Sequence, residues 1–190
     1  MQRIQSRSDY KLFRIADRTS LGIKKIGLNN FTNDVLRFET RLRKLEFAIN
    51  CSKNPILRLY RKIQFKRISV KLGYSISPNT IGPGLSIAHR GTIVINGGAQ
   101  IGANCRIHAD VNIGTEAGKS ASAPIIGENC YIGPGAKIFG EIVIGPNTVI
   151  GANAVVNKSF PEGNQTLGGI PARVSSQNSS SGLLTKGFQT

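Results

Sequence analysis

Ile126–Val156 reads IGENCY IGPGAK IFGEIV IGPNTV IGANAV V, and a branched aliphatic opens every group of six. The same count extends towards the N-terminus. Ile101, Ile107 and Ile113 form one run, and Ile81, Ile87 and Ile93 another. The breaks between runs add two residues, with Gly97 and Gly98 inside the first, and then seven, within Thr115–Ile125. Four residues after the aliphatic stands a second, mostly smaller column, including Leu85, Cys105, Val111, Cys130, Ala136 and Ala154. A period of six fits neither an amphipathic helix nor an alternating strand. Held over twelve positions, it marks a solenoid.

Six residues suffice for one short flat strand and a tight corner. The large aliphatic and its small partner face inward, and Gly or Asn takes corner angles that bulky residues resist. Three such rungs close a triangular coil, so the twelve aliphatics make about four stacked coils, each burying what its neighbour leaves open. The fold class expected is mainly β: a parallel β-helix over 72–174, an α-helical region at 1–71 and a flexible polar tail at 175–190. Thr115–Pro124 (TEAGKSASAP) interrupts the sixes and is expected to leave the coil as an exposed loop.

Charge is unevenly placed. Residues 1–70 hold 17 Lys and Arg against 5 Asp and Glu, whereas residues 71–190 hold 8 against 5. Helices are expected over Gln5–Ile26, Asp34–Asn50 and Ile56–Val70, with a turn at Asn29-Asn30, Thr32 as a cap and Pro55 starting the last helix. In the second helix Val35, Phe38, Leu42 and Leu45 supply the apolar side, and Arg37, Arg41, Arg43 and Lys44 the basic one. Three readings of this region stay open: a cap over the end of the β-helix, a surface for anionic lipid or another polyanion, and a nucleic-acid surface. No nucleic-acid recognition motif accompanies the charge, which argues against the third.

Three cysteines, Cys51, Cys105 and Cys130, show no metal or disulfide spacing, and the expected compartment is a reducing one, the cytoplasm. Contact with the inner face of the membrane is a second expectation. Met1–Tyr10 is polar and no run of eighteen apolar residues occurs, so neither a signal peptide nor a membrane span is expected. No metal is expected.

The chain has only two histidines, His89 and His108. Each follows a core aliphatic by one or two positions and is expected to project outward. One coil of eighteen residues plus the two inserted puts His89 over about position 109, so the histidines are expected on one flank.

The repeat, ending in Gly168-Gly169-Ile170-Pro171-Ala172-Arg173, resembles the hexapeptide-repeat acyltransferases. That resemblance implies a left-handed β-helix, a homotrimer with sites between adjacent coils, and acetyl-CoA as acyl donor. Ile76-Ser77-Pro78, Ile81-Gly82, Gly84-Leu85 and Ala88-His89-Arg90-Gly91-Thr92 are similar to the serine acetyltransferase segment that carries the catalytic histidine. It implies His89 as general base for a hydroxyl attacking a thioester. Three departures stand against serine itself. Ser75 and Ala88 occupy positions where that branch has acidic residues, and Ser122-Ala123 replaces an Arg-His pair. Asn104–His108 and Val111–Thr115 resemble more closely the exopolysaccharide and capsule O-acetyltransferases of the colanic-acid type. The expected acceptor on that likeness is a sugar hydroxyl, free, nucleotide-linked or lipid-linked; serine or another small acceptor is the alternative, and a non-catalytic scaffold a third. The two histidines are one short of the three that bind zinc in β-helical carbonic anhydrases.

His108 is a second catalytic candidate. Arg90, Asp110, Asn112 and Lys119 are candidates for the acceptor, with Asp110, Glu116 or a backbone carbonyl expected to orient His89. For coenzyme A the candidates are the backbone around Gly133, Ala136, Gly151 and Ala152, with Lys158 and Arg173 for its phosphates.

Overall fold

The computed structural model describes residues 2–23, 27, 32–118 and 123–189. Three helices come first. α1 (Arg7–Ser20) opens on Ser6, whose side chain accepts from the Asp9 N–H. α2 (Asp34–Cys51) opens on Asn33, which accepts from Leu36 N–H and takes the capping place expected of Thr32. α3 (Pro55–Leu72) opens on Asn54 with Pro55 in its first turn and closes on Gly73 at φ +79°. Lys24–Ile26, the end of the longer first helix expected, and the Asn29-Asn30 turn lie outside the described residues.

The six-residue count then takes over. All twelve column aliphatics, from Ile81 to Val156, are at most 2% exposed. Burying each such side chain stabilises the fold by about 1.5–3 kcal/mol. The first face of the coil stacks β1 (Tyr74–Ile76), β3 (Ile93–Ile95), β6 (Val111–Gly114), β9 (Lys137–Phe139) and β12 (Val155–Val156) in parallel. The second stacks β4 (Gln100–Ile101), β7 (Ile125–Ile126) and β10 (Val143–Ile144). The third stacks β2 (Ser86–Ile87), β5 (Arg106–Ile107), β8 (Tyr131–Ile132), β11 (Val149–Ile150) and β13 (Thr166–Gly168). Tyr74 pairs with Ile93, and Leu167 with Ile150, so the stack runs one rung beyond the count at its start and further at its end. The sequence hides these rungs because Tyr74 is aromatic and stands seven residues, not six, before Ile81.

The coils approach so closely at their corners that side chains are excluded there. A Cβ on Gly127 would lie 2.6 Å from Pro146 N. Before the third face, Asn104, Asn129, Asn147 and Asn164 all adopt positive φ, the left-handed conformation that Asn tolerates better than most residues. Their side chains pair between coils, Asn104 donating to Asn129 and Asn147 to Asn164.

The C-terminal segment corrects the expectation of a flexible tail. β14 (Arg173–Ser176) turns back antiparallel on β13, and the chain then runs along the asparagine corner. Ser180 is buried, donating its hydroxyl to Asn129 O and its N–H to Asn147 O. Phe188 exchanges two hydrogen bonds with the Asn104 amide, and Gly187 N–H donates to Ser20 Oγ of α1. Serine-rich composition predicts no apolar core, and none forms here. Backbone pairing with the corner holds the strap instead.

A second correction concerns Arg43, placed by pattern on the basic face of α2. Its side chain is fully buried, because the first coil ends in backbone groups that no further coil can pair. Arg43 donates to the carbonyls of Ile81 and Gly82 at 2.9 and 2.7 Å. It also binds Asp17 through two nitrogens, and Glu46 at 2.9 Å. Asp17 in turn accepts from Gly84 and Leu85 N–H, Glu46 from Asn79 N–H, and Glu39 from Ile87 N–H. Side-chain charges thus stand in for a missing strand. Among the described residues no helix is long and apolar enough to cross a membrane.

Candidate active site

The corner after β2 holds Ala88, His89, Arg90 and Gly91, the last at φ +137° and packed against Ala109 of the next coil. His89 is exposed. Its backbone is fixed: Tyr74 donates its hydroxyl to the His89 carbonyl at 2.9 Å. Burial, reinforced by the nearby Glu39, pushes the Tyr74 pKa up to about 12, so this donor keeps its proton. Glu39 itself holds the strand two residues earlier, through Ile87 N–H at 3.1 Å. With Asp17 on Gly84 and Leu85, the segment leading to His89 is fastened to the helices at three of its residues, Gly84, Leu85 and Ile87.

His108 stands one coil along, its ring 6.2 Å from that of His89. Tyr131, a further coil along, lies 4.8 Å from His108. Burial first, then the charges of Arg106 and His89, lower the His108 pKa and favour the neutral ring. Its Nε2 is shielded from solvent and, among the described residues, has no hydrogen-bond partner. An exposed imidazole on a fixed corner can accept a proton from a hydroxyl, and the His108 ring stands beside it.

The other expected residues spread out. Arg90 reaches back to Asp34 of α2 at 3.0 Å, which Lys71 and Arg37 share. Asp110, exposed at φ +62°, accepts Lys137 Nζ on its carbonyl. Asn112 is exposed on β6 beside Lys137 of β9. Lys119 lies outside the described residues. Gly133, Ala136, Gly151 and Ala152 line the same corner as the histidines, but the N–H groups of Gly133, Ala136 and Gly151 already donate within the coil stack. A Cβ on Gly133 would lie 2.8 Å from Ile150 O, so coil packing alone demands this glycine. Lys158 sits past the following face with its ammonium over Phe160, and Arg173 on β14 beside Gly168. Among the described residues no group of His, Cys, Asp and Glu is arranged to hold a metal ion. Tyr74, Glu39 and Tyr131 are the participants that sequence reasoning missed. Only Tyr131 left a signal, an outward aromatic one residue before a core isoleucine.

Fold and corner together define the class, a hexapeptide-repeat β-helix. Residues 123–158 match the family model described as bacterial transferase hexapeptide, six repeats. The nearer likeness is to serine acetyltransferases. That of Synechococcus elongatus is 38% identical over 104 residues, 54% of this chain and 42% of the relative. That of Staphylococcus xylosus is 39% identical over 108 residues, 56% of this chain and 50% of the relative. The chain thus spans about half the length of the curated relatives it matches. The crystal structure of the Brucella abortus serine acetyltransferase superposes with a TM-score of 0.72 at 25% identity, covering 92% of this chain and 72% of that one. The stack is a left-handed parallel β-helix with N-terminal helices.

These likenesses correct the expected acceptor. The relatives and solved structures are serine acetyltransferases, and the closeness to exopolysaccharide enzymes is not supported. The three departures at Ser75, Ala88 and Ser122-Ala123 do not outweigh these likenesses. Ser75 is an exposed residue paired with Val94 on the first face, whereas the contacts that fix His89 come from Tyr74 and the helices.

Proposed function

We propose that this chain is an acetyl-CoA-dependent O-acetyltransferase whose acceptor is serine or another small hydroxy compound. The observation that carries it is the exposed His89 imidazole, on a clamped corner beside neutral His108, within coils that resemble serine acetyltransferases at 38–39% identity. A solved Brucella abortus serine acetyltransferase in complex with coenzyme A superposes with a TM-score of 0.66 and 25% identity, which supports the donor.

In this reading neutral His89 accepts the acceptor's hydroxyl proton as its oxygen bonds to the thioester carbonyl carbon. The tetrahedral oxyanion then collapses, the C–S bond breaks, and His89 returns the proton to the departing thiolate. His108, whose ring stands beside His89, stays a second candidate for contact with the acceptor. Gly151, Ala152 and Arg173 stay candidates for the coenzyme, and Asp110 and Asn112 for the small acceptor. We further propose a homotrimer acting in the cytoplasm, a reducing compartment that fits three free cysteines.

Thiol release from acetyl-CoA with L-serine, beside other small hydroxy-amino acids, tests the reading. Serine-dependent release that falls by about 10²–10⁴-fold in His89→Ala is expected. Release indifferent to His89, or none with any small acceptor, refutes it. Light scattering on the eluted protein checks the trimer.

A further inference from the structure

The helices carry a feature that acyl transfer leaves unused. α1 and α3 both pack on α2, and between them lies an open trough of about 840 Å³. One face of α1 contributes Lys11, Arg14, Ile15 and Arg18, at the spacing of three and four that shares a helix side. The floor is α2, through Leu36, Arg37, Thr40, Arg41 and Lys44. Tyr60, Arg61 and Gln64 of α3 close the far side. A smaller hollow of about 270 Å³ continues past Arg67 and Lys71.

Its charge is one-sided. Among the described residues no Asp or Glu lines the trough. Asp17, Glu39 and Glu46 are turned inward onto the edge of the first coil, and Asp34 is taken by Arg37, Lys71 and Arg90 at one end. Among the described residues, Lys11, Arg14, Arg18, Arg41, Lys44 and Arg61 enter no ion pair. Burial, and then Arg61, Arg14 and Arg41, hold the Lys44 pKa below its usual value, the mark of cations crowded without a counter-charge. Arg18 Nε is shielded from solvent and, among the described residues, has no acceptor.

Shape decides among anions. The cations line a concavity between two helices, and a flat bilayer does not reach its floor. A second copy would bring the same charge. A phosphate chain would leave the strip formed by Ile15, Leu36 and Tyr60 uncovered, with Ile15 55% and Tyr60 52% exposed. A groove with helical walls, basic along its length and with an apolar strip at Ile15, Leu36 and Tyr60, fits a fourth helix. We propose that the trough docks an amphipathic acidic helix of a partner protein, its apolar face on Ile15, Leu36 and Tyr60 and its carboxylates on Arg14, Arg41 and Arg61. The surface is independent of the acceptor and of His89.

The test uses the full chain and fluorescence anisotropy of a labelled model peptide of about five helical turns, Leu on one face and Glu on the other. A scrambled peptide of equal composition, single-stranded oligothymidine and phosphatidylserine-containing vesicles run beside it. The amphipathic peptide is expected to bind at least about tenfold more tightly than its scramble, and the Arg41→Glu/Arg61→Glu variant to lose about a hundredfold. Ile15→Ser should lose a smaller factor, and the thermal melts of both variants should match the parent. No binding, equal binding of the scramble, indifference to charge reversal, or tighter binding of oligonucleotide or vesicles overturns the proposal.

Discussion

The β-helix and its helical cap bury their interiors by opposite means. The coil stacks aliphatics in register and satisfies much of its backbone by repeating itself, strand N–H groups meeting carbonyls of the neighbouring coils. The cap meets the N-terminal edge of the stack, and there Arg43, Asp17 and Glu46 do with charge, and Glu39 with a carboxyl oxygen, what a further strand would do with amides. Such a substitution is uniform in neither geometry nor cost. A solenoid interior tolerates any rung of the right volume, whereas its terminus needs particular residues in particular places.

Removing Arg43 should therefore do the greatest damage. Arg43→Ala leaves two buried carboxylates uncompensated and two carbonyls orphaned, and a loss of about 3–5 kcal/mol is expected in denaturant unfolding. Within the coil, Ile132→Ala should cost about 2–5 kcal/mol by cavity formation, while Ile132→Val should cost only about 0.5–1.5. Equal effects of Arg43→Ala and a surface arginine variant such as Arg58→Ala would erase the contrast between the regions.

A pH series sharpens it. Burial and the charge of Asp17 hold the Glu39 carboxyl well above the usual range. An acid whose pKa is raised by folding stabilises the fold fully below its unfolded pKa, and that contribution disappears as pH rises through the folded value. Glu39→Gln cannot titrate, so its melting temperature should gain on the parent as pH rises from about 4 to about 9. A constant difference across that range would mean Glu39 is already ionised. Smallest is Ser180→Ala, expected to cost about 1 kcal/mol by orphaning the Asn129 carbonyl.

Legibility in the sequence followed the same divide. The column from Ile81 to Val156 was readable because each rung is local, six residues from the next. Arg43 was misread because helical periodicity assigns a charge to solvent and cannot see a coil edge 38 residues away. The juxtaposition of His89 with His108 came from counting residues per coil, but Tyr74, Glu39 and Tyr131 entered through contacts that no spacing records. Absent charges at Ser75 and Ala88 are a poor guide to the acceptor, because the groups that hold the histidine segment are Tyr74, beside Ser75, and the carboxyl groups of the helices.

The strap from Arg173 to Phe188 changes how such a stack should come apart. A linear array with only nearest-neighbour couplings frays from its weaker end, one unit at a time. Here the last coil is tied through Ser180 and Phe188 to interior coils, and through Gly187 to α1 at the opposite end. The array becomes a closed circuit. Opening either terminus should then loosen the other, and the fold is expected to melt more cooperatively than a linear stack would.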